Sequence, residues 1–222
     1  MARIARVVVP GHPHHITQRG CRRQRTFFEP NDYRRYLEIL RKRKADAGVE
    51  VWAYCLMPNH VHLVVVPETS QSLSRLLGPS HREYAIAINR RMQWQGHLWQ
   101  ERFYSFAMDE QHLLAAVRYV EMNPVRANLC ASAADWPWSS AAAHLDGKDD
   151  SLVSVQPMLE RVGDWQSYLS IPPSDLPDEE LRSHSRTGRP AGSPEFIDML
   201  EAVTGRQLKK RKPGPQVSLK QN

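Results

Sequence analysis

Two neighbouring strands joined by a tight turn limit the fold of this chain more than any other feature. Val49–Leu56 and His60–Val66 are rich in apolar and β-branched residues, and Pro58-Asn59 between them is a typical turn sequence. Runs of this kind pair as an antiparallel hairpin. The sequence therefore predicts a sheet that contains this hairpin.

Helical and strand-like segments alternate on both sides of the hairpin. They are a strand over His14–Gln18, a helix that ends at Gly48, a helix over residues 69–91, a strand over Phe103–Met108 and a helix over Glu110–Val120. Asn31-Asp32 offers an N-cap for the first helix, and Gly78-Pro79 predicts a kink or a new start in the second. The order β-α-β-β-α-β plus one helix predicts an α+β, ferredoxin-like split βαβ fold, in which an antiparallel four-stranded sheet carries two helices on one face.

Charge and composition change along the chain. Residues 1–48 carry 12 Lys/Arg against 4 Asp/Glu, residues 146–181 carry 2 against 9, and residues 205–222 carry 6 against none. We therefore divide the chain into a core domain over residues 1–145, an acidic, proline-containing connector over residues 146–192 and a C-terminal part over residues 193–222. No fold is assigned to the connector. The C-terminal part is predicted to hold a short helix over Ser193–Val203 and then a basic, disordered tail.

The net charge of +6 and the pI near 9.4 favour nucleic acid as the partner, although most charge runs are only solvated surface. The apolar run Val61–Val66 contains His62 and is far shorter than the ~20 residues of a membrane helix. Residues 1–10 lack the apolar segment of a secretory signal. We therefore expect a cytoplasmic protein with no membrane partner.

Missing motifs exclude several classes of enzyme. The sequence has no Walker-type Gly-Lys-Ser/Thr loop, no His-Glu-x-x-His, no zinc-deaminase signature and no Gly-x-Ser-x-Gly elbow. This argues against the commonest nucleotide hydrolases, metalloproteases, deaminases and serine esterases. Three widely spaced cysteines, Cys21, Cys55 and Cys130, do not form a disulfide framework, so we expect free thiols.

Two histidines in one predicted strand could bind a metal ion. His60 and His62 are two residues apart, so their side chains point to one face with Cα atoms roughly 6.6 Å apart. A histidine in a strand is more often simply packed or at the surface. The apolar run Leu63–Val66 beside them favours a function, because two unneeded imidazoles in a central strand would incur a desolvation cost.

Tyr119 lies near the end of the last predicted core helix, and Asn123 follows it by four residues on the same helix face. One interpretation is a core tyrosine followed by a helix-ending Asn-Pro. The other makes the phenol a nucleophile and the Asn123 amide oxygen a third ligand beside the histidines, an arrangement suited to Mg²⁺ or Mn²⁺. Glu121 points elsewhere, and His112, seven residues before Tyr119, is a weaker candidate for a ligand or base.

Basic, aromatic and polar residues form a candidate nucleic-acid surface, since bases stack on rings and phosphates bind guanidinium groups. The alternative is that the aromatic rings fill the core and the arginines are merely solvated; Phe103 and Phe106 are expected to serve both purposes. The predicted contact residues are His15, Thr17, Arg19, Arg22, Arg23, Arg25, Trp99, Gln100, Arg102, Arg118 and Arg126.

Five segments together resemble the REP-associated tyrosine transposases, which belong to the single-tyrosine HUH transposase family. The segments are His15–Gly20, Leu56–Leu63, Gly96–Gln100, Arg118–Ala127 and Trp136–Ser140, in order over roughly residues 10–145. The resemblance implies a ferredoxin-like nuclease that binds single-stranded DNA beside a palindromic hairpin. It also matches His60 and His62 to the metal ligands, Tyr119 to the nucleophile and Asn123 to an additional polar ligand.

The chemistry implied is attack of Tyr119 on a phosphodiester, which forms a covalent 5′-phosphotyrosine and releases a 3′-OH. Attack by another 3′-OH would rejoin strands without ATP or GTP, with Mg²⁺ or Mn²⁺ as cofactor. Two alternatives stay open: a catalytically silent regulator that binds DNA or RNA hairpins, and a nuclease that activates water while Tyr119 is structural.

The oligomeric state is predicted from the chain around the Tyr119 helix. The link between Met108 and the helix Glu110–Val120 is short, and a long region follows the core. Both features favour a helix that packs on its own sheet. We therefore expect a monomer that acts in cis.

Overall fold

Four antiparallel strands form the sheet of this protein, described here from a computed structural model that covers residues 4–171 and 178–209. The strands are β1 (His14–Arg19), β2 (Val49–Met57), β3 (His60–Pro67) and β4 (Tyr104–Ala107). Their order in the sheet is β2-β3-β1-β4, with every neighbouring pair antiparallel. This is the predicted ferredoxin-like arrangement, so the fold class is confirmed.

The helices of the described residues number nine, and two short 3₁₀ turns accompany them. The helices are α1 (Pro30–Lys44), α2 (Ser72–Met92), α3 (Glu110–Glu121), α4 (Asn123–Arg126), α5 (Ala141–Asp146), α6 (Gln156–Leu159), α7 (Trp165–Ser170), α8 (Asp178–Thr187) and α9 (Pro194–Thr204). The 3₁₀ turns are Cys21–Arg23 and Ala133–Asp135. None of these helices is long and apolar enough to cross a membrane. The cytoplasmic location stays a prediction.

The sheet is covered on both faces because side chains alternate along each strand. Ile16 of β1 and Leu63 of β3 point into a core that they share with α1 and α2. Val64 of β3 and Phe106 of β4 point the other way and pack with α3. The two-helix face was predicted, and α3 covers the opposite face, which is the one that carries His60 and His62.

The two helices on the first face begin and continue differently from the prediction. The N-cap of α1 is Glu29, not Asn31-Asp32, because Pro30 takes the first helical position and Asp32 accepts the backbone N–H of Glu29 at 3.2 Å. Helix α2 runs through Pro79 without a new start. Buried residues on both sides of Pro79, among them Leu76 and Tyr84, pack into the core and hold the helix together.

The segment to which the sequence assigned no fold carries α6, α7 and α8 in its described part. Met158, Trp165 and Leu181 are buried against the α3 side of the sheet. Their apolar stretches are too short to indicate structure alone, but an existing core surface suffices to order them. The predicted C-terminal helix is confirmed as α9, capped by Ser193, which accepts the N–H of Phe196.

The rest of the C-terminal part was predicted as a basic tail. Residues 210–222 of that tail lie outside the described residues, and the division of the chain into three parts stays a prediction. The cysteines are free thiols, as expected.

A buried carboxylate fastens the following region to the end of α3. Glu121 is fully buried; one oxygen accepts from Ser140 Oγ at 2.5 Å and from His144 Nδ1 at 2.7 Å. The other oxygen accepts from Trp165 Nε1 at 2.9 Å. Because Glu121 is two residues from Tyr119, these bonds fix the helix end that carries the tyrosine. The prediction that Glu121 points away from Tyr119's surroundings is thereby confirmed.

Replacing Glu121 with alanine is expected to lower the free energy of unfolding by roughly 3–5 kcal/mol, because three buried donors would lose their acceptor. Urea unfolding monitored by tryptophan fluorescence measures this. Glu160→Ala, at an exposed position, serves as the control and should change stability by less than about 0.5 kcal/mol. A loss below about 1 kcal/mol for Glu121→Ala would show that the bonds are not structural.

Candidate functional site

Three histidines lie together on the α3 side of the sheet. His62 is 3% exposed, and its Nδ1 lies 2.9 Å from His15 Nε2 and 3.3 Å from Thr17 Oγ1 on the adjacent strand β1. The ring centroids of His60 and His62 are 4.8 Å apart and the rings are nearly perpendicular. The two imidazoles therefore share one face of β3, as predicted.

Each of the two predicted ligand rings is held through its Nδ1. His60 Nδ1 lies 2.6 Å from Asn59 Oδ1, which must accept, so the proton is on Nδ1 and the lone pair is on Nε2. His62 Nδ1 contacts His15 and Thr17, whereas its Nε2 is buried without a hydrogen-bond partner among the described residues. A buried nitrogen in that condition is rare unless a ligand satisfies it. The pair thus fits a cation bound through Nε2 atoms.

Burial keeps these imidazoles neutral. It lowers the pKa of His15 to about 3, and burial together with the charge of Arg19 lowers the pKa of His60 to about 3. The pKa of His62 is well below its ordinary value, first through burial and then through the neighbouring His60 and His15. Neutral rings keep the lone pairs that a metal requires.

Tyr119 faces the histidines from α3. Its ring centroid is 5.5 Å from that of His62 and 6.3 Å from that of His15, with both pairs close to perpendicular. The guanidinium of Arg126 lies 4.9 Å from the centre of the Tyr119 ring. The structure therefore brings the predicted nucleophile and the predicted ligands to one place, although their chemical roles stay predictions.

Asn123 lies one turn beyond Tyr119. Helix α3 ends at Glu121, but the N–H of Met122 bonds to Arg118 O and the N–H of Arg126 bonds to Met122 O, so the backbone keeps turning. The Asn123 Nδ2 is buried without a hydrogen-bond partner among the described residues. Because an amide can be rotated to exchange its nitrogen and oxygen, the same position can present Oδ1 to a cation.

The described residues hold no cluster of three or more His, Cys, Asp or Glu suited to a metal.

A loop rich in arginine lies next to His60. Asn59 joins the two, since its Nδ2 donates to Arg23 O at 3.0 Å while its Oδ1 contacts His60. Arg22 and Arg23 have φ of 53° and 60°, a region that is unfavourable for arginine and that the loop's bonds must maintain. Gly20 is required at the loop's start, because a Cβ there would come 2.5 Å from Gln24 O. Sequence reasoning missed Asn59; its place directly before His60 was the available signal.

Seven of the predicted contact residues are accessible to a nucleic acid. Arg22, Arg23, Arg25, Gln100 and Arg102 are exposed, and Arg19 and Arg126 are partly exposed. Gln100 and Arg102 also line an open cavity of about 750 Å³ beside Cys21. These residues stay candidates for DNA contact.

Four predicted contact residues are buried, so the prediction that they form an exposed nucleic-acid surface was wrong. His15 and Thr17 are 2% and 9% exposed, and their side chains contact the Nδ1 of His62, so they support that ring. Trp99 packs in the core and donates its indole N–H to His81 O at 3.1 Å, so the alternative interpretation of that aromatic segment holds. Arg118 is 5% exposed. Alternation along a strand or helix indicates the face of a residue but not its depth.

The structure also shows where three further side chains near the predicted site lie, namely His112, Phe103 and Phe106. His112, the weaker candidate, donates from Nδ1 to Asp109 Oδ1 at 2.7 Å at the start of α3 and does not join the histidine cluster. Phe103 and Phe106 were expected to serve both core and surface. Both are buried, and Phe106 packs edge-on against His15 with ring centroids 5.2 Å apart.

Three known proteins are similar to this chain. A REP-associated tyrosine transposase of Escherichia coli (strain K12) is 23% identical over 122 residues, which is 54% of this chain and 72% of the relative. The solved structure of a REP-associated tyrosine transposase bound to a REP hairpin has a TM-score of 0.54 and 21% identity, covering 69% of this chain and 92% of that chain. A putative transposase from Deinococcus radiodurans has a TM-score of 0.39 and 22% identity, covering 54% of this chain and 95% of that chain.

The family model described as "Transposase IS200 like" matches residues 9–123. That range begins just before β1 and ends at Asn123, so it contains the whole sheet, both candidate histidine ligands and Tyr119. More than half of the chain is thus covered by one family, and the structural match confirms the fold. The chain belongs to the IS200-like transposase family.

Proposed function

We propose that the protein cleaves and rejoins single-stranded DNA next to a hairpin, with Tyr119 as the nucleophile. The observation that carries the proposal is the placement of Tyr119 opposite His62, with their ring centroids 5.5 Å apart. Arg126 of α4 lies over the Tyr119 ring, and Arg19 of β1 is electrostatically coupled to Tyr119. A phenol, two neutral imidazoles and guanidinium groups are suited to attack on a phosphodiester.

In the proposed reaction the Tyr119 oxygen bonds to phosphorus, and the bond from phosphorus to the 3′ oxygen breaks. The phenol gives its proton to water and the departing 3′ oxygen takes one proton from water, so the upstream strand leaves with a 3′-OH and the downstream strand stays on the protein as a 5′-phosphotyrosine. Attack by another 3′-OH reverses these bonds, so no nucleoside triphosphate is consumed. Arg19 and Arg126 would bind the phosphate oxygens that gain charge during the attack.

Mg²⁺ or Mn²⁺ is the proposed cofactor, held by Nε2 of His60 and His62 and by the amide oxygen of Asn123. When bound, such an ion polarises the phosphate and stabilises the leaving oxygen. All three donors are neutral, so the charge of the cation is left for the phosphate. His15, Thr17 and Asn59 keep the two rings oriented through their Nδ1 atoms.

Hairpin DNA is the proposed substrate because one structural relative is bound to a REP hairpin. This chain offers matching chemistry beside the site. Arg22, Arg23 and Arg25 are exposed in the loop that follows β1, and the open cavity near Gln100 and Arg102 could take a nucleotide of the flanking single strand.

Covalent capture of the DNA tests the proposal. A hairpin with a single-stranded flank is incubated with the protein and Mg²⁺ or Mn²⁺, labelled in separate samples at its 5′ or 3′ end, and run on a denaturing gel. We expect the 3′ label to shift to a protein adduct and the 5′ label to appear in a shortened strand. Cleavage without an adduct would indicate a water-activating nuclease, and binding without cleavage a silent hairpin-binding regulator.

We also propose that one subunit forms the complete site. Helix α3 packs on the sheet of its own chain, and Tyr119 meets His62 of the same chain. Light scattering of the free protein should therefore give the mass of a monomer, 25.5 kDa. A stable species of twice that mass would contradict this, and mixing Tyr119→Phe with His62→Ala chains would then show whether subunits complement each other.

A further inference from the structure

Helix α8 from the region after the core domain lies beside the proposed catalytic site. Leu181 is 1% exposed and packs into the same core as Tyr119 and Phe106. The His184 ring lies 5.6 Å from the Phe106 ring, and Phe106 in turn contacts His15. A single phenyl ring therefore separates α8 from the histidine cluster.

The position of α8 is fixed at several points. His112 Nε2 of α3 lies 3.6 Å from Glu180 Oε1, and His184 Nδ1 donates to Arg189 O at 3.0 Å. The next segment is bonded to β4 and to the start of α3, since Ala191 N–H donates to Ala107 O and Asp109 N–H donates to Ala191 O. Helix α8 and the segment that follows it are thus held to α3 and β4.

Arg182 of α8 is 53% exposed, and its charge acts on two arginines of the site. Burial and then Arg23 lower the pKa of Arg19, and the charge of Arg182 lowers it further. Burial and Arg182 also lower the pKa of Arg126, while Tyr119 acts in the opposite direction on both. Arg182 thus acts electrostatically on both of the arginines that Tyr119 also influences, although one belongs to β1 and the other to α4.

Like charges brought together in this way repel one another, and a bound anion removes the repulsion. Glu179 lies 3.6 Å from Arg182, but the two side chains are 81% and 53% exposed, so water screens this ion pair and leaves Arg182 available to another anion. A phosphate at the Tyr119 oxygen would be attracted by the charges of Arg19, Arg126 and Arg182.

We infer that Arg182 contacts a phosphate of the single strand held at Tyr119, so that helix α8 contributes directly to the DNA-binding site. The inference rests on the proposed function, because it takes single-stranded DNA as the ligand. It assigns to the region after the core domain a role in substrate binding beyond that of a connector.

The test compares Arg182→Gln with Arg186→Gln, a matched control one turn further along α8 whose side chain is 71% exposed. Both are placed in a Tyr119→Phe background, and binding of the flanked hairpin is titrated across a salt series. Loss of one phosphate contact should lower the log–log salt slope by about 0.7 for Arg182→Gln and leave it unchanged for Arg186→Gln. Arg182→Lys should restore most of the slope, because the charge is kept.

Adduct formation is then measured with Tyr119 intact. Arg182→Gln should slow it roughly tenfold, as expected for the loss of one charged contact. Equal slopes and equal rates for Arg182→Gln and Arg186→Gln would overturn the inference, and so would faster adduct formation, which would mean that α8 obstructs the site. If the unmodified protein forms no adduct, the proposed function fails, whereas the salt slopes still decide the Arg182 contact.

Discussion

Replacing Tyr119 with phenylalanine is expected to abolish the covalent DNA adduct and to reduce strand cleavage by roughly four orders of magnitude or more. The ring stays in place, so its packing against His62 and His15 and its position under the Arg126 guanidinium are preserved, and only the hydrogen bond between its hydroxyl and Arg126 is lost. Only the oxygen that would attack phosphorus is lost. Binding of the flanked hairpin should change less than about twofold, because the arginines proposed to contact phosphate remain. Denaturing gels measure the first effect and fluorescence anisotropy the second.

A matched control is the corresponding change at another tyrosine of the α3 layer. Tyr168 on α7 is half-buried and donates its hydroxyl to Leu114 O, away from the histidine cluster. Tyr168→Phe should keep full adduct formation. An adduct that persists in Tyr119→Phe would mean that another residue is the nucleophile. Cleavage that persists without an adduct would favour a nuclease that activates water.

The side-chain faces on which the candidate site residues lie could be predicted, because they follow from short-range periodicity within one strand or one helix. A two-residue spacing places His60 and His62 on one strand face, and a four-residue spacing places Tyr119 and Asn123 one helical turn apart. The order of the strands then follows from the split βαβ pattern. The resemblance supplied the chemical roles, which spacing alone left open between packing and function.

The burial depth of side chains and the docking of segments that are distant in sequence could not be predicted from the same patterns. His15 and Thr17 were assigned to the correct strand face, but α3 covers that face and turns them into supports for His62. Arg182 carried no local signal, since it lies in an acidic, proline-containing segment. Its helix is ordered by docking of Leu181 on a surface formed by residues far away in sequence. Tertiary contacts of this kind leave no periodic pattern in the sequence.

The same dependence on tertiary contacts explains why the region after the core domain matters for the site. Glu121 ends the helix that carries Tyr119, and its three buried bonds reach α5, α7 and the turn before α5. Helix α8 packs against Phe106, on the same face of the sheet as α3. Loss of this region would therefore be expected to loosen the tyrosine helix as well as to remove Arg182.

Removing the proposed metal ion or its proposed ligands should greatly reduce DNA cleavage, and this is the second large effect that we expect. His60→Ala and His62→Ala are each expected to reduce cleavage by roughly two to three orders of magnitude, because the phosphate would no longer be polarised. Exhaustive treatment with EDTA should reproduce the loss in the unmodified protein, and added Mg²⁺ or Mn²⁺ should restore activity there but not in the two variants. Hairpin binding is expected to persist, since the arginine contacts lie outside the histidine pair.

Direct measurement of Mn²⁺ binding by electron paramagnetic resonance separates a ligand from a packing residue. Unmodified protein should bind the ion, and both histidine variants should bind it at least tenfold more weakly while keeping a cooperative unfolding transition. His12→Ala is the control: His12 bonds to Pro10 O before β1 and should not change binding. Full cleavage after chelation would show that the histidines are structural. In that case His62 Nε2, buried without a hydrogen-bond partner among the described residues, would need another explanation.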